Sequence, residues 1–454
     1  MTAAADRTVR TPSRWRRADR AAGGLALDLG LYAASAAFAA VTAATSTLPP
    51  HRAWGTVAAY GYLLAAVVVA VALAARRRDA SSALAGLPAR WAVAGLAWVT
   101  ATMLPLVQQG VQRVAGRTDR AQEEVVVVEH AGNRLVETGT PYLGHDAIAA
   151  LPADERLLGY TPYQPGMALF GLPRAVADGW WTDARVWFAV ATALVLALAV
   201  RALRTDAPTD PTGRADRGAL VLRGVQAATV LPICALTLAT GGDDLPVLAL
   251  CLLALALAAV DRPGRAGLAV GLAGALKLFA WPVALVLIAW AATRRSTGRL
   301  AAGALGVPAL ALLPALLVDR DALVENVLRF PLGHGLVTSP AQSPFPGQLI
   351  ATALPAGRVV AAALLVAVGV GIAVRLLRRP PRTAAATALV CGYGLLAAIL
   401  LMPSTRFGYL LYPVALLVWA PALTRPEPAT YAPLTGGLRR SAGAGRQARR
   451  TPEV

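Results

Sequence analysis

Charge is in short supply in this chain, and so are cysteine and lysine. Charged residues make up 15% of the 454 positions, where soluble domains carry about 25%. More than half of the chain is apolar. A water-soluble globular domain is therefore excluded, and a polytopic membrane protein is what remains. The three cysteines, Cys234, Cys251 and Cys391, all fall inside apolar runs. That excludes a disulfide framework and any cysteine metal motif. Short segments of alternating polarity are missing, which excludes a closed barrel. Lysine occurs once, at Lys277, among abundant alanine and arginine, the usage of a GC-rich bacterial genome. The first apolar segment follows a basic stretch and lacks a small-residue cleavage site, so it reads as a retained helix rather than a removed signal.

What is present is a succession of apolar runs, at 22–45, 55–75, 89–111, 184–203, 219–240, 246–260, 300–318, 350–376, 384–402 and 406–423. They predict an all-α membrane bundle of about ten spanning helices. The formal net charge of +18 invites a nucleic-acid reading, but its placement argues otherwise. Arginines cluster at 14–17, 76–78, 201–204, 262–265, 294–299, 375–382 and 439–450. All fall on one side if the N-terminus is cytoplasmic, the positive-inside arrangement. No nucleic-acid partner is expected. The predicted organisation is a disordered basic cytoplasmic segment 1–21, a two-helix addition 22–87, a main membrane domain 88–423 and a disordered basic tail 424–454.

One stretch breaks the parity. Residues 266–292 are apolar, yet arginine clusters flank both ends, and Lys277 and Trp281-Pro282 interrupt the middle. A re-entrant pair of short helices, entering and leaving from the cytoplasmic side, restores the sidedness. It places Lys277 in the inner half.

The remaining segments, 46–54, 112–183, 241–245, 319–349 and 403–405, then lie outside. The longest, 112–183, gathers Glu123, Glu124, Glu129, His130, His145, Tyr142, Tyr160 and Tyr163. A loop this long and this rich in chemistry is usually functional. Its residues from Glu129 to Thr138 have helical character and stop at Gly139, a suitable C-cap. Val125, Val128 and Leu135 would share one face, as in a helix lying on a membrane surface, although the valine run also suits a strand. The proline-punctuated turn Tyr160–Gly166 offers rings that can anchor at an interface or stack on a sugar. Gly241-Gly242-Asp243-Asp244 makes a short turn whose carboxylates can cap the next helix or bind a ligand. The loop at 329–346 carries His334 among prolines and glycines, where a lone histidine is commonly just solvated. Arg406 opens the last span on the outer side, against the positive-inside trend. It reads as an anion binder or as a lipid-headgroup anchor. Glu129, His130, His145 and Asp146 suggest a metal set, but no spacing rule supports one.

Several phrases together resemble the GT-C superfamily of polyprenyl-phosphate-sugar-dependent glycosyltransferases, and within it glycosyltransferase family 87. They are Glu124…Val127-Val128…Ala131…Leu135…Gly139-Thr140-Pro141-Tyr142, Tyr160-Thr-Pro162-Tyr163-Gln-Pro165, Gly241-Gly242-Asp243-Asp244, Gly271-Leu-Ala-Gly-Ala-Leu-Lys277 and Thr405-Arg406-Phe407-Gly408-Tyr409. The likeness spans about 90–423. Two positions depart from the family pattern: Glu124 stands where aspartate is usual, and Val128 stands where tyrosine is usual. The resemblance implies inverting transfer of a sugar, mannose first among candidates, from a polyprenyl-phosphate donor to a lipid or glycan acceptor of the cell envelope. No metal or other cofactor is implied.

Such a transfer needs a carboxylate base for the acceptor hydroxyl and cationic groups for the leaving phosphate. Glu124 is the expected base, followed by Glu129 and Glu123, with three solvated loop acids as the plain alternative. Arg406 is the expected phosphate binder, with His334 second. Tyr142, Tyr160, Tyr163, Asp243 and Asp244 complete the expected substrate-binding set, and Lys277 would contact a phosphate headgroup from the re-entrant region. A transporter or flippase, or an inactive scaffold, is the competing class. Transporters place ionisable residues at the midplane and show repeats. Here no repeat is visible, and only Asp28 and Lys277 lie well inside apolar stretches.

Overall fold

The computed structural model describes residues 21–205 and 210–424, so the disorder expected of the termini falls outside the described residues. The described chain is helical throughout. Helices α1 (Ala21–Thr45), α2 (Pro49–Arg78) and α3 (Leu87–Val114) come first. The large loop carries α4 (Glu123–Thr138) and leads to α5 (Ala184–Thr205). Then follow α6 (Pro211–Thr229) and α7 (Pro232–Thr240), α8 (Asp244–Ala259), α9 (Pro263–Leu276) and α10 (Trp281–Ala292). The chain closes with α11 (Thr297–Val318), α12 (Arg320–Val324), α13 (Gly357–Arg378), α14 (Ala384–Leu401) and α15 (Leu411–Trp419).

Seven of the helices are long and apolar enough to cross a membrane, or eight if the bent pair α6–α7 is one span. The other two of the ten expected runs, 246–260 and 406–423, form shorter apolar helices. The run 246–260 is α8, only 16 residues long and buried along its entire length. A helix apolar on every side that is wrapped by protein is the core of the bundle, and hydropathy cannot separate it from a lipid-facing span. The run 406–423 opens with a 3-10 turn and is likewise short.

Prolines shape the long helices, and other elements take up the carbonyls they release. Pro105 has no N–H for the carbonyl of Ala101, four residues back, and α3 widens into a π turn over Val99–Met103. The Trp54 indole of α2 donates to that carbonyl at 2.8 Å. Pro232 ends α6, and α7 departs at 44°. The Tyr62 hydroxyl donates to the Val230 carbonyl at the bend, 2.5 Å away. Each kink thus has a cause and a partner.

The pair α9–α10 enters and leaves at one end. Arg294, after α10, pairs with Asp261, before α9, at 3.1 Å. Lys277 sits at the far tip in extended backbone between the helices. Helix α9 lies directly on α11: a Cβ on Gly271 would fall 2.1 Å from the Gly303 carbonyl, and one on Gly267 2.2 Å from that of Leu300. Only glycine allows that approach.

Asp28, a buried charge inside the first span, ties α1 to α3 and α6. Arg90 holds it at 2.6 Å, and Arg223 and Gln226 of α6 also donate to it. Buried charges need such pairing.

Candidate active site at the loop end

The large loop folds back onto the bundle rather than lying free. Helix α4 ends at Gly139, whose φ of 77° is the left-handed cap expected of it. Val125 and Val128 are buried, but against protein and not on a membrane surface. The Gly132 and Gly171 backbones meet so closely that a Cβ on Gly132 would lie 2.3 Å from the Gly171 carbonyl carbon. Gln122, just before α4, donates its N–H to the Thr240 carbonyl at 2.9 Å, and its side chain accepts from the Thr240 hydroxyl at 2.9 Å. This seam sets the first turn of α4 beside the α7–α8 turn.

Glu124 in that first turn forms an ion pair with Arg406. Their side chains are 16% and 30% exposed, so water reaches both. Arg406 is held from behind by a short backbone pairing between the loop before α13 and the start of the last apolar segment. Thr405 N–H donates to Ala341 at 2.8 Å, Ser343 N–H to Thr405 at 2.9 Å, and Phe407 N–H to the Ser343 hydroxyl at 2.9 Å. Two residues expected to act as base and phosphate binder, 282 positions apart in sequence, are thus brought into contact.

A second charged centre stands at the same end. Lys277 Nζ donates to Asp243 Oδ2 at 2.7 Å and Asp244 Oδ1 at 2.6 Å. The Tyr412 hydroxyl adds a bond to Asp244 Oδ1 at 2.7 Å. The rings of Tyr163 and Tyr409 lie 5.3 Å from the ammonium and that of Phe279 6.0 Å. This corrects two expectations. Lys277 is not in the inner half, because α9 is long enough to carry it back to the level of the α7–α8 turn. Asp243 and Asp244 do not cap α8, since their carboxylates face the lysine and no capping bond forms. A buried ammonium draws both carboxylates because either charge alone would be costly in this interior.

Glu129 is committed elsewhere. Arg113 grips it with two bonds at 2.8 and 2.9 Å, the Ala184 N–H donates to it at 3.2 Å, and Arg174 lies 3.7 Å away. Arg113 also reaches Asp183 at 2.5 Å, and Arg185 binds Asp183 through two bonds of 2.8 Å. Burial raises the Asp183 carboxyl, but the two guanidiniums override it and hold it well below the usual carboxylate range. Glu123 is exposed.

The tyrosines face inward, not toward a membrane interface. Tyr142 donates to the Tyr163 carbonyl at 2.8 Å and packs on Ala315 and Ala322. Tyr160 stacks on Phe330 at 4.2 Å, donates to Glu325 at 2.9 Å and accepts from Leu336 N–H at 2.8 Å. Burial, with the nearby Asp243 and Asp244 carboxylates, pushes the Tyr163 hydroxyl up. His334 stands exposed in the turn after α12, joined by no bond to the Glu124–Arg406 pair. His145 pairs with Glu325 at 3.3 Å and Glu129 with arginines. Among the described residues no three His, Cys, Asp or Glu side chains converge.

Arg113, Asp183, Arg185 and Tyr412 escaped the sequence reading. Arg113 and Arg185 carry the same signal that marked Arg406, an arginine at the helix end opposite the basic clusters. The Tyr412 contact has no local signature.

The family model for glycosyltransferase family 87 matches residues 160–404. The matched region contains Asp243, Asp244, Lys277 and His334, whereas Glu124 precedes it and Arg406 lies just beyond it. No curated protein and no solved structure matches the chain.

Proposed function

The chain belongs to glycosyltransferase family 87, whose model covers more than half of it, and is a membrane glycosyltransferase; from that premise we propose that it moves a mannosyl group from a polyprenyl phosphate to an acceptor hydroxyl outside the cytoplasm. The observation that carries this reading is the meeting of Glu124 with Arg406 at the large-loop end. A carboxylate and a guanidinium within reach of each other and of water are the base and the leaving-group site that inverting transfer needs. The basic clusters near Asp261, Arg294 and Arg382 gather at the opposite end, which favours cytoplasmic termini and an external active site.

In the reaction, the acceptor oxygen attacks the anomeric carbon from the face opposite the phosphate. The new C–O bond forms as the bond to the phosphate oxygen breaks, and that electron pair leaves with the polyprenyl phosphate. Glu124 takes the acceptor proton and later returns it to water. Arg406 stabilises the charge growing on the phosphate. Glu129, saturated by arginines, serves as a brace for α4 rather than as the base, and Glu123 remains a solvated acid. Tyr142 and Tyr160 shape the wall, Tyr163, Asp243, Asp244 and Lys277 form its charged floor, and His334 lines the approach. The acceptor is a lipid or glycan of the cell envelope.

Transfer of label from polyprenyl-phosphomannose in membranes tests the reading. Glu124→Gln is expected to lose about 10²–10⁴ in turnover and Arg406→Gln about 10²–10³. Glu129→Gln should chiefly lower the amount of folded protein. Robust transfer by Glu124→Gln would remove it as the base. The buried Lys277 at a broken-helix tip is the one feature a transporter would share, and absence of transfer from any donor would favour that class or an inactive scaffold.

A further inference from the structure

We propose that Arg406 and Glu124 keep each other out of service until an anionic phosphate claims Arg406, so that the donor must bind before the acceptor can be deprotonated. The inference rests on the roles given to these two residues above and adds an order of events to them.

The pairing pattern at this end supports it. Glu129 is held by Arg113 and Arg174, Asp183 by Arg113 and Arg185, and Lys277 by Asp243 and Asp244. Each of these charges has two partners and is sealed from water. Asp119 is shared by Arg117 and Arg120, and Glu325 by His145 and Arg329. Among the described residues, Glu124 and Arg406 have only each other as ion-pair partners, and both side chains are open to water. This is therefore the pair that a ligand can open.

The backbones on both sides are anchored, Arg406 by the pairing with Ala341 and Ser343, and Glu124 through Gln122 on Thr240. Opening is a rotation of side chains rather than a loop movement. A carboxylate bound to a guanidinium is a poor proton acceptor, because the cation stabilises its ionised form. A phosphate offers the guanidinium two parallel charge-assisted bonds and more negative charge than one carboxylate. Binding of the lipid phosphate thus turns Arg406 toward the leaving group and frees Glu124 in the same event. Without donor, the base stays masked.

The test uses the full-length protein in nanodiscs and polyprenyl phosphate without sugar as the probe, with binding followed by native mass spectrometry. Glu124→Gln removes the competitor for Arg406 and is expected to tighten binding about fivefold, the worth of a partly exposed ion pair. Arg406→Gln should weaken binding at least tenfold, and the double variant should match Arg406→Gln. Thermal melts confirm that each variant is folded, and Arg406→Lys, which keeps the charge, supplies a milder substitution. Unchanged or weaker binding by folded Glu124→Gln, with Arg406→Gln still impaired, would overturn the masking and leave the functional reading standing. Wild-type affinity in Arg406→Gln and Arg406→Lys would instead remove Arg406 as the phosphate binder, and the masking with it.

Discussion

Asp183 accepts from Arg113 and Arg185 with no exposed surface of its own, and Glu129 shares Arg113 with it. Removing a charge from such a buried set leaves the others uncompensated, at a cost of about 3–5 kcal/mol. Asp183→Asn is therefore expected to lower stability by that amount at neutral pH. The carboxyl is depressed in the folded state, so its contribution is complete above the ordinary aspartate value of about 4 and is lost as pH falls through the lower folded value. Melting curves of wild type and variant should differ by a constant margin down to about pH 4 and converge below it. A margin that closes between pH 7 and 5 would contradict the assignment. Glu124, with one partner and partial exposure, should show no comparable loss of stability on conversion to glutamine.

Among the elements, α9 and α3 make the clearest demands. Gly271 of α9 rests on the Gly303 backbone of α11, so Gly271→Leu must push the helices apart. Overpacking of this kind costs about 1–3 kcal/mol or more, and the re-entrant tip carrying Lys277 should shift with it. The expected result is a lower melting temperature together with lost transfer, while leucine at Gly264, where a Cβ meets open space, should be tolerated. Trp54→Phe in α2 leaves the Ala101 carbonyl of α3 without the donor that replaced the one missing at Pro105. An unpaired buried acceptor costs about 1–3 kcal/mol. Pro105→Ala supplies a backbone donor, so combining it with Trp54→Phe should restore part of the loss.

For the whole molecule, the arrangement with both feet of α9–α10 at one end and Lys277 at the other predicts an accessibility pattern. Cysteine at Gly264 and at Gly298 should be labelled by an impermeant thiol reagent from the same side, the cytoplasmic one in the orientation proposed. Cysteine at Asp146 should be labelled from the other. Labelling of Gly264→Cys and Gly298→Cys from opposite sides would mean that the segment crosses once.

Much of this was legible from composition and order. Apolar runs, basic clusters and proline breaks announce an all-helical membrane bundle and an α9–α10 pair with both feet at one end, because lipid permits few backbone solutions and basic residues gather on one side. What the sequence alone determined was thus the class of fold, and it marked Glu124 and Arg406 as residues out of place. What only the tertiary structure decided was partnership. Whether Glu129 is free or held by Arg113, whether Asp243 and Asp244 cap α8 or bind Lys277, and whether α8 faces lipid or protein all turn on contacts between residues far apart in the chain. A charge buried from water is defined by its nearest opposite charge, and linear order carries no measure of that distance.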